Sequence, residues 1–279
     1  LKNRKRKKLL HVLPLLFCST TLYAEDSSPD LAEKAERSVY VVRYIQVAKE
    51  NVAAYEAALA EKTQKFNVGD GVDEWFTHKI LTGPRTGQYA RWFGPVPWSD
   101  LDRTETTHRV GVGTPADAAR MSNPEVAFWQ KHLTPLEINS GETEILEQVP
   151  GSDYRNLDID QPRFGFAQRW KIKPGMVIRK EASLLQFAKV MKSSGFSLNG
   201  EASRLVSGGD YMIFESWIGF NEWAEFGKFR SKGFSGVFNK ALGEEGFEKF
   251  RAEFALIHQD SATETSVWEF LPAQSSRGK

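Results

Sequence analysis

The chain has 279 residues, 37 of them Lys or Arg against 36 Asp or Glu. Six of the bases (Lys2, Arg4, Lys5, Arg6, Lys7, Lys8) fall in the first 24 residues, which hold no acid, so the remainder is near −5 with its bases scattered; that argues against a nucleic-acid binder, which needs a clustered basic face. A hydrophobic fraction of 41% with 8 Trp and 19 Phe excludes wholesale disorder, and the only cysteine, Cys18, leaves the rest without disulfide, thiolate nucleophile or Cys-ligated metal.

The first element is a basic stretch, then a short apolar run from Leu9 to Phe17, then Leu22-Tyr23-Ala24 before two acids. That order predicts a secretory signal over 1–24, cleaved after Ala24, and an exported protein, periplasmic or secreted. The run is shorter than the roughly 20 residues a membrane span needs. Phe17 is too large to precede a lipidated cysteine, so no membrane anchor is expected after removal. Residues 25–37 read as an extension.

Val39 to Val47 is β-branched and aromatic, hence a strand. Asn51 opens a helix with Val52, Tyr55, Leu59 and Phe66 near helical spacing. Glu74–Thr82 and Tyr89–Val96 read as a hairpin around Gly83-Pro84-Arg85-Thr86-Gly87. Ser99 caps a further helix, Pro115–Met121 and Pro124–Leu133 look helical, and Glu142–Val149 closes as a strand. Residues 151–162 are a polar linker. The order then recurs: strand Arg163–Lys173, helix Met176–Lys192, strands Ala202–Ser207 and Tyr211–Ile218, helices Asn221–His258, strand Thr263–Leu271, with a tail over 273–279.

The two halves match in sequence as well as in order. Gly141–Pro150 aligns with Thr263–Pro272 at an offset of 122, and the same offset pairs Gly87, Tyr89 and Trp92 with Gly209, Tyr211 and Phe214. Lys79–Gly83 aligns with Arg204–Gly208 at 125, and Arg43-Tyr44 with Arg169-Trp170 at 126. The expected fold class is α+β: two tandem ferredoxin-like βαββαβ units, 38–150 and 163–272. Each leaves one sheet face bare, so the two are expected to cover each other.

This duplicated order resembles the dimeric α+β barrel superfamily in its tandem form, over about 38 to 272. That superfamily holds NIPSNAP-like proteins, antibiotic-biosynthesis-type monooxygenases and haem-binding relatives of chlorite dismutase. The resemblance implies a fused barrel, with a cofactor-independent oxygenase-like activity or a haem. Tandem relatives carry haem on a histidine of the second copy, where this chain has only His258.

Four histidines lie beyond the signal, His78, His108, His132 and His258, and no pair has metal-ligand spacing, so no metal site is expected. His258 sits at a predicted helix end, where a solvated imidazole is favoured by the helix dipole; no cofactor is expected, haem on His258 being the lesser alternative. His78 alternates with Phe76 and Ile80 and so points to an apolar face, and Ser203 occupies its place in the second copy. It is the first candidate for a ligand site, with Arg43, Tyr89, Arg91 and Arg169 as further ligand-binding candidates. Arg43 and Arg169, among apolar neighbours, need carboxylates, for which Glu147 and Glu269 are the repeat-matched choices. The aromatic groups Trp92, Phe93, Trp98 and Phe214, Trp217, Phe220, Trp223 read as core packing before ligand stacking. The expected function is a small-molecule site for an aromatic or acidic ligand, in a binding protein or a cofactor-independent oxygenase-like enzyme, homo-oligomeric or not. The alternative is a scaffold protein whose barrel is filled by side chains.

Overall fold

The computed structural model describes residues 37–102, 123–139, 142–159 and 161–276. The first unit runs β1 (Ser38–Val47), α1 (Val52–Phe66), β2 (Trp75–Ile80), β3 (Tyr89–Pro97), α2 (Pro124–His132), β4 (Glu137–Asn139) and β5 (Thr143–Gln148). A short β6 (Tyr154–Arg155) lies in the linker. The second unit runs β7 (Phe164–Ile172), α3 (Val177–Lys192), β8 (Asn199–Ser207), β9 (Ile213–Phe220), α4 (Trp223–Lys228), α5 (Phe234–Ile257, broken at Gly243) and β10 (His258–Phe270). The expected helix over Pro115–Met121 lies outside the described residues.

Eight strands close into a barrel in the order β1-β3-β2-β10-β7-β9-β8-β5, with β1 pairing both β3 and β5. Each unit is a four-stranded antiparallel sheet, and each gives its second strand to the last strand of the other: β2 pairs β10, and β8 pairs β5. The bare sheet faces thus meet within one chain, as the duplication predicts. Closure leaves the eight strands no free edge.

Alternation along the strands sorts side chains between lumen and outer face. Tyr40, Val42 and Tyr44 of β1 pack in the lumen with Leu146, Ala167, Leu205 and Trp268. The outer face is covered by helices. Ile45 and Tyr89 pack under α1 against Tyr55 and Leu59, which are fully buried, each such side chain contributing about 1.5–3 kcal/mol. Asn123 caps α2 by accepting from the Glu125 and Val126 N–H groups.

The register corrects the sequence alignment of the halves. Val39 pairs Glu147 while Phe164 pairs Glu269, and His78 pairs Ala90 while Ser203 pairs Glu215. The first three strands therefore correspond at 125 and only the last at 122, because the stretch between the third and last strands is three residues longer in the first unit. Trp92 matches Trp217, not Phe214, and Tyr44, not Arg43, matches Arg169. An odd slip moves a side chain to the other face of the sheet. The linker also differs from expectation: β6 extends the sheet beside β8.

Candidate functional site

Part of the lumen is solid and part is open. The open part is a cavity of about 1080 Å³, just above the usual size range of small-molecule sites. Its walls come from inward-facing positions of five strands: Tyr40 (β1), Phe76 and His78 (β2), Trp92 (β3), Glu201 and Ser203 (β8), Glu215 and Trp217 (β9). The linker residues Arg155 to Ile159 described there form part of its rim. A wholly filled barrel, the scaffold alternative, is not what the chain builds.

His78 reaches this cavity by the alternation that sequence predicts. It is 6% exposed, with Phe270 at 5.4 Å and Trp268 at 6.0 Å between ring centroids. Neither ring nitrogen has a hydrogen-bond partner among the described residues. Burial pushes its pKa down to about 3, so the imidazole is neutral. Ser203, its repeat counterpart, stands on the strand opposite in the ring of eight.

Two carboxylates complete the polar lining. Glu201 Oε2 accepts from Tyr40 Oη (3.0 Å), Gln148 Nε2 (3.2 Å) and Arg155 (3.4 Å), and among the described residues no donor reaches Oε1. Glu215 Oε2 accepts from Arg169 Nε at 2.7 Å, and among the described residues its Oε1 likewise has no donor. Burial raises both carboxyl pKa values against the pull of Arg155 and Arg169. Trp217 gains its place from Gly165 on the neighbouring strand, where a Cβ would fall 2.1 Å from the indole nitrogen.

The solid part carries a saturated ion cluster. Arg169 donates to both oxygens of Glu144 (2.9 and 2.6 Å), to Glu215 and to Tyr44 Oη (2.8 Å). Arg85 from the β2–β3 hairpin donates to Glu144 at 2.9 Å and lies 3.9 Å from the Tyr44 ring centroid. Burial works against the Glu144 carboxylate, but the Arg169 hydrogen bonds and charge outweigh it and hold the pKa low.

The sequence candidates are thus divided. His78 lines the cavity, and Arg169 lies in the lumen but is fully engaged. Arg43, Tyr89 and Arg91 are on the outer face, separated from His78 by the sheet. Tyr89 donates to Glu56 of α1 at 2.6 Å. Arg43 lies 5.2 Å from the Trp129 ring, and Arg91 stacks between Trp75 and Trp129 at 4.8 and 5.1 Å. Glu147 and Glu269 serve other partners than those expected: Glu147 takes Arg37 and Arg204, Glu269 takes Arg163. Among the aromatics, Trp92, Phe93 and Trp217 line the cavity, Phe214 and Phe220 are core, and Trp98 and Trp223 are exposed. Glu201 and Glu215 went unnoticed in the sequence; with β8 and β9 in the right register, alternation with Ser203 and Trp217 puts both on the lumen.

No protein-family model and no curated protein matches the sequence. Solved structures do match in fold. A proposed monooxygenase from Fusobacterium nucleatum superposes with a TM-score of 0.53 at 9% identity, over 84% of this chain and 93% of that one. A chlorite dismutase from Candidatus Nitrospira defluvii gives 0.47 at 9% identity, over 86% and 94%. A haem-binding protein from Thermus thermophilus gives 0.44 at 8% identity, over 86% and 93%. The fold is that of the dimeric α+β barrel superfamily, in its fused form.

These likenesses correct the expectation of a chain without cofactor, because haem proteins are built on this architecture. The residue expected to hold a haem does not fit it. His258 is 7% exposed, its Nδ1 bonds the Phe254 carbonyl at 2.6 Å, and its Nε2 faces Lys180 Nζ at 2.9 Å. Burial, then the Lys180 charge, push its pKa down to about 4, and burial lowers that of Lys180 to about 7. Trp170 and Phe254 close around the ring at 4.9 and 3.9 Å. His132 is exposed, and His108 lies outside the described residues. Among the described histidines, His78 is the one whose free nitrogens face a cavity, so it is the residue that would hold a haem. Among the described residues, no group of His, Cys, Asp and Glu could hold a metal ion, and no helix is long and apolar enough to cross a membrane.

Proposed function

We propose that the protein is an exported binding protein for a small, ring-bearing molecule held in the open part of the lumen around His78. The observation that carries this reading is a buried imidazole with two unpartnered nitrogens on the wall of a cavity. A buried polar group without a partner costs about 1–3 kcal/mol, and a ligand that hydrogen-bonds it recovers that cost. The aromatic walls, Tyr40, Phe76, Trp92 and Trp217, suit a planar or apolar body. An imidazole with a pKa near 3 is suited to hydrogen bonding and not to proton abstraction at neutral pH, where a base works best with a pKa close to the medium. Binding is therefore the reading taken over catalysis.

Native mass spectrometry of protein isolated from its own host, with an absorbance spectrum, tests this. The expected result is a bound small molecule, or uptake of one from an aromatic library, lost in His78→Ala while the fold persists. Absence of any such uptake by the wild type at millimolar ligand contradicts it. A haem would show in the same spectrum. Export rests on the basic-apolar-small order ending at Ala24; N-terminal sequencing of the exported protein is expected to begin at Glu25, and a chain still carrying Cys18 contradicts it.

A further inference from the structure

The geometry points to a cationic ligand: an organic ammonium on a ring-sized apolar body, its charged N–H groups received by Glu201 Oε1, Glu215 Oε1 and a His78 ring nitrogen. This rests on the cavity reading above and names the ligand's chemistry. Three observations converge. The three sequence-expected arginines are not available to an acid there, since Arg43 and Arg91 lie outside the barrel and Arg169 has its donors committed to Glu144, Glu215 and Tyr44. Both carboxylates on the wall have every donor on Oε2, which leaves the second oxygen of each for the ligand. The third group, His78, is 6% exposed and has both nitrogens unpartnered on the same cavity.

The rim acids Asp73, Glu74 and Asp100 have contacts of their own and Asp158 is exposed at the rim, so among the described residues the carboxylates within the lumen are the two glutamates. Among the described residues, Arg155 is the one lysine or arginine on the wall, and its side chain is half exposed. Burial holds both carboxyl pKa values up despite their arginine neighbours, as befits carboxylates with too little positive charge beside them. An ammonium supplies that charge. It also meets the aromatic faces of Tyr40, Trp92 and Trp217, whose quadrupoles attract a cation. A ligand carboxylate in the same place would face two carboxylates at low dielectric.

Three probes of similar shape separate the charges: 2-(1-naphthyl)ethylamine, 2-(1-naphthyl)ethanol and 1-naphthylacetate, titrated into the full protein by calorimetry at pH 7.5. The expected result is at least about tenfold tighter binding of the ammonium than of the alcohol, with the carboxylate weakest. Glu201→Gln is expected to shrink the ammonium's advantage to about threefold or less while the alcohol's affinity holds. If the alcohol or the carboxylate binds as tightly as the ammonium, the charge assignment fails and the cavity reading stands. If none of the three binds at millimolar concentration, the cavity reading fails and this inference with it.

Discussion

The two parts of the barrel lumen use the same kinds of side chain to opposite ends. Around Arg169, the guanidinium, Glu144, Tyr44, Arg85 and one oxygen of Glu215 satisfy one another at 2.6–3.0 Å. Around His78, both nitrogens of a buried imidazole lack partners among the described residues, and Glu201 and Glu215, each with its donors on one oxygen, border the same open space. The first arrangement is self-contained and holds strands of both units together, since Glu144 belongs to β5 and Arg169 and Glu215 to β7 and β9. The second is complete only with something added. Burial alone therefore does not mark a site in this fold; an unsatisfied buried group facing open space does. The two buried histidines repeat the contrast: both have lowered pKa values, but His258 has both nitrogens engaged and His78 has neither.

The largest expected effect breaks the saturated part. Arg169→Met leaves Glu144 and Glu215 buried without their shared cation, and stability is expected to fall by about 3–5 kcal/mol in urea unfolding. A loss under about 1 kcal/mol would mean the cluster is not structural. Next is Gly165→Ala on the boundary between the parts. Its Cβ would overlap the Trp217 indole, so the ring must leave the wall, at about 1–3 kcal/mol. The expected signature is a shifted tryptophan emission and weaker probe binding. An unchanged spectrum with unchanged affinity would show that Trp217 does not form the wall.

The next prediction concerns pH. The His78 pKa is lowered from the ordinary value near 6.5 to about 3. Such a base favours the folded state fully above pH 6.5, and the benefit is lost as the pH falls, because the unfolded chain takes up the proton first. Relative to His78→Leu, the wild type should lose stability steadily from pH 6.5 toward pH 4, by up to about 1.4 kcal/mol per pH unit. Taking the difference between the two proteins removes the contributions of His258, Glu144, Glu201 and Glu215, which titrate in both. Parallel stability curves would show that solvent in the cavity already reaches the imidazole.

Much of this was legible in the sequence. The element order, the duplication and the inward face of His78 follow from alternation and periodicity alone, because strand parity is local. What was lost was lost at the register. Arg43 and Arg169 look equivalent beside their aromatic neighbours, yet one residue of slip puts Arg43 outside the barrel and Arg169 inside. The same slip hid Glu215 behind the false pairing of Trp92 with Phe214. The linker's role was hidden for another reason: its polar composition has no periodicity, while its placement over the rim follows from barrel closure.

The central claim is that His78 belongs to a binding site and not to the core. The most direct measurement is the stability of His78→Leu at pH 7.5, taken with its affinity for the naphthyl probes. A site residue is kept at some cost to stability, so the account predicts that leucine leaves the protein as stable or raises it by up to about 2 kcal/mol, while probe binding weakens at least about tenfold. A variant that loses more than about 1 kcal/mol and binds the probes as the wild type does would contradict it.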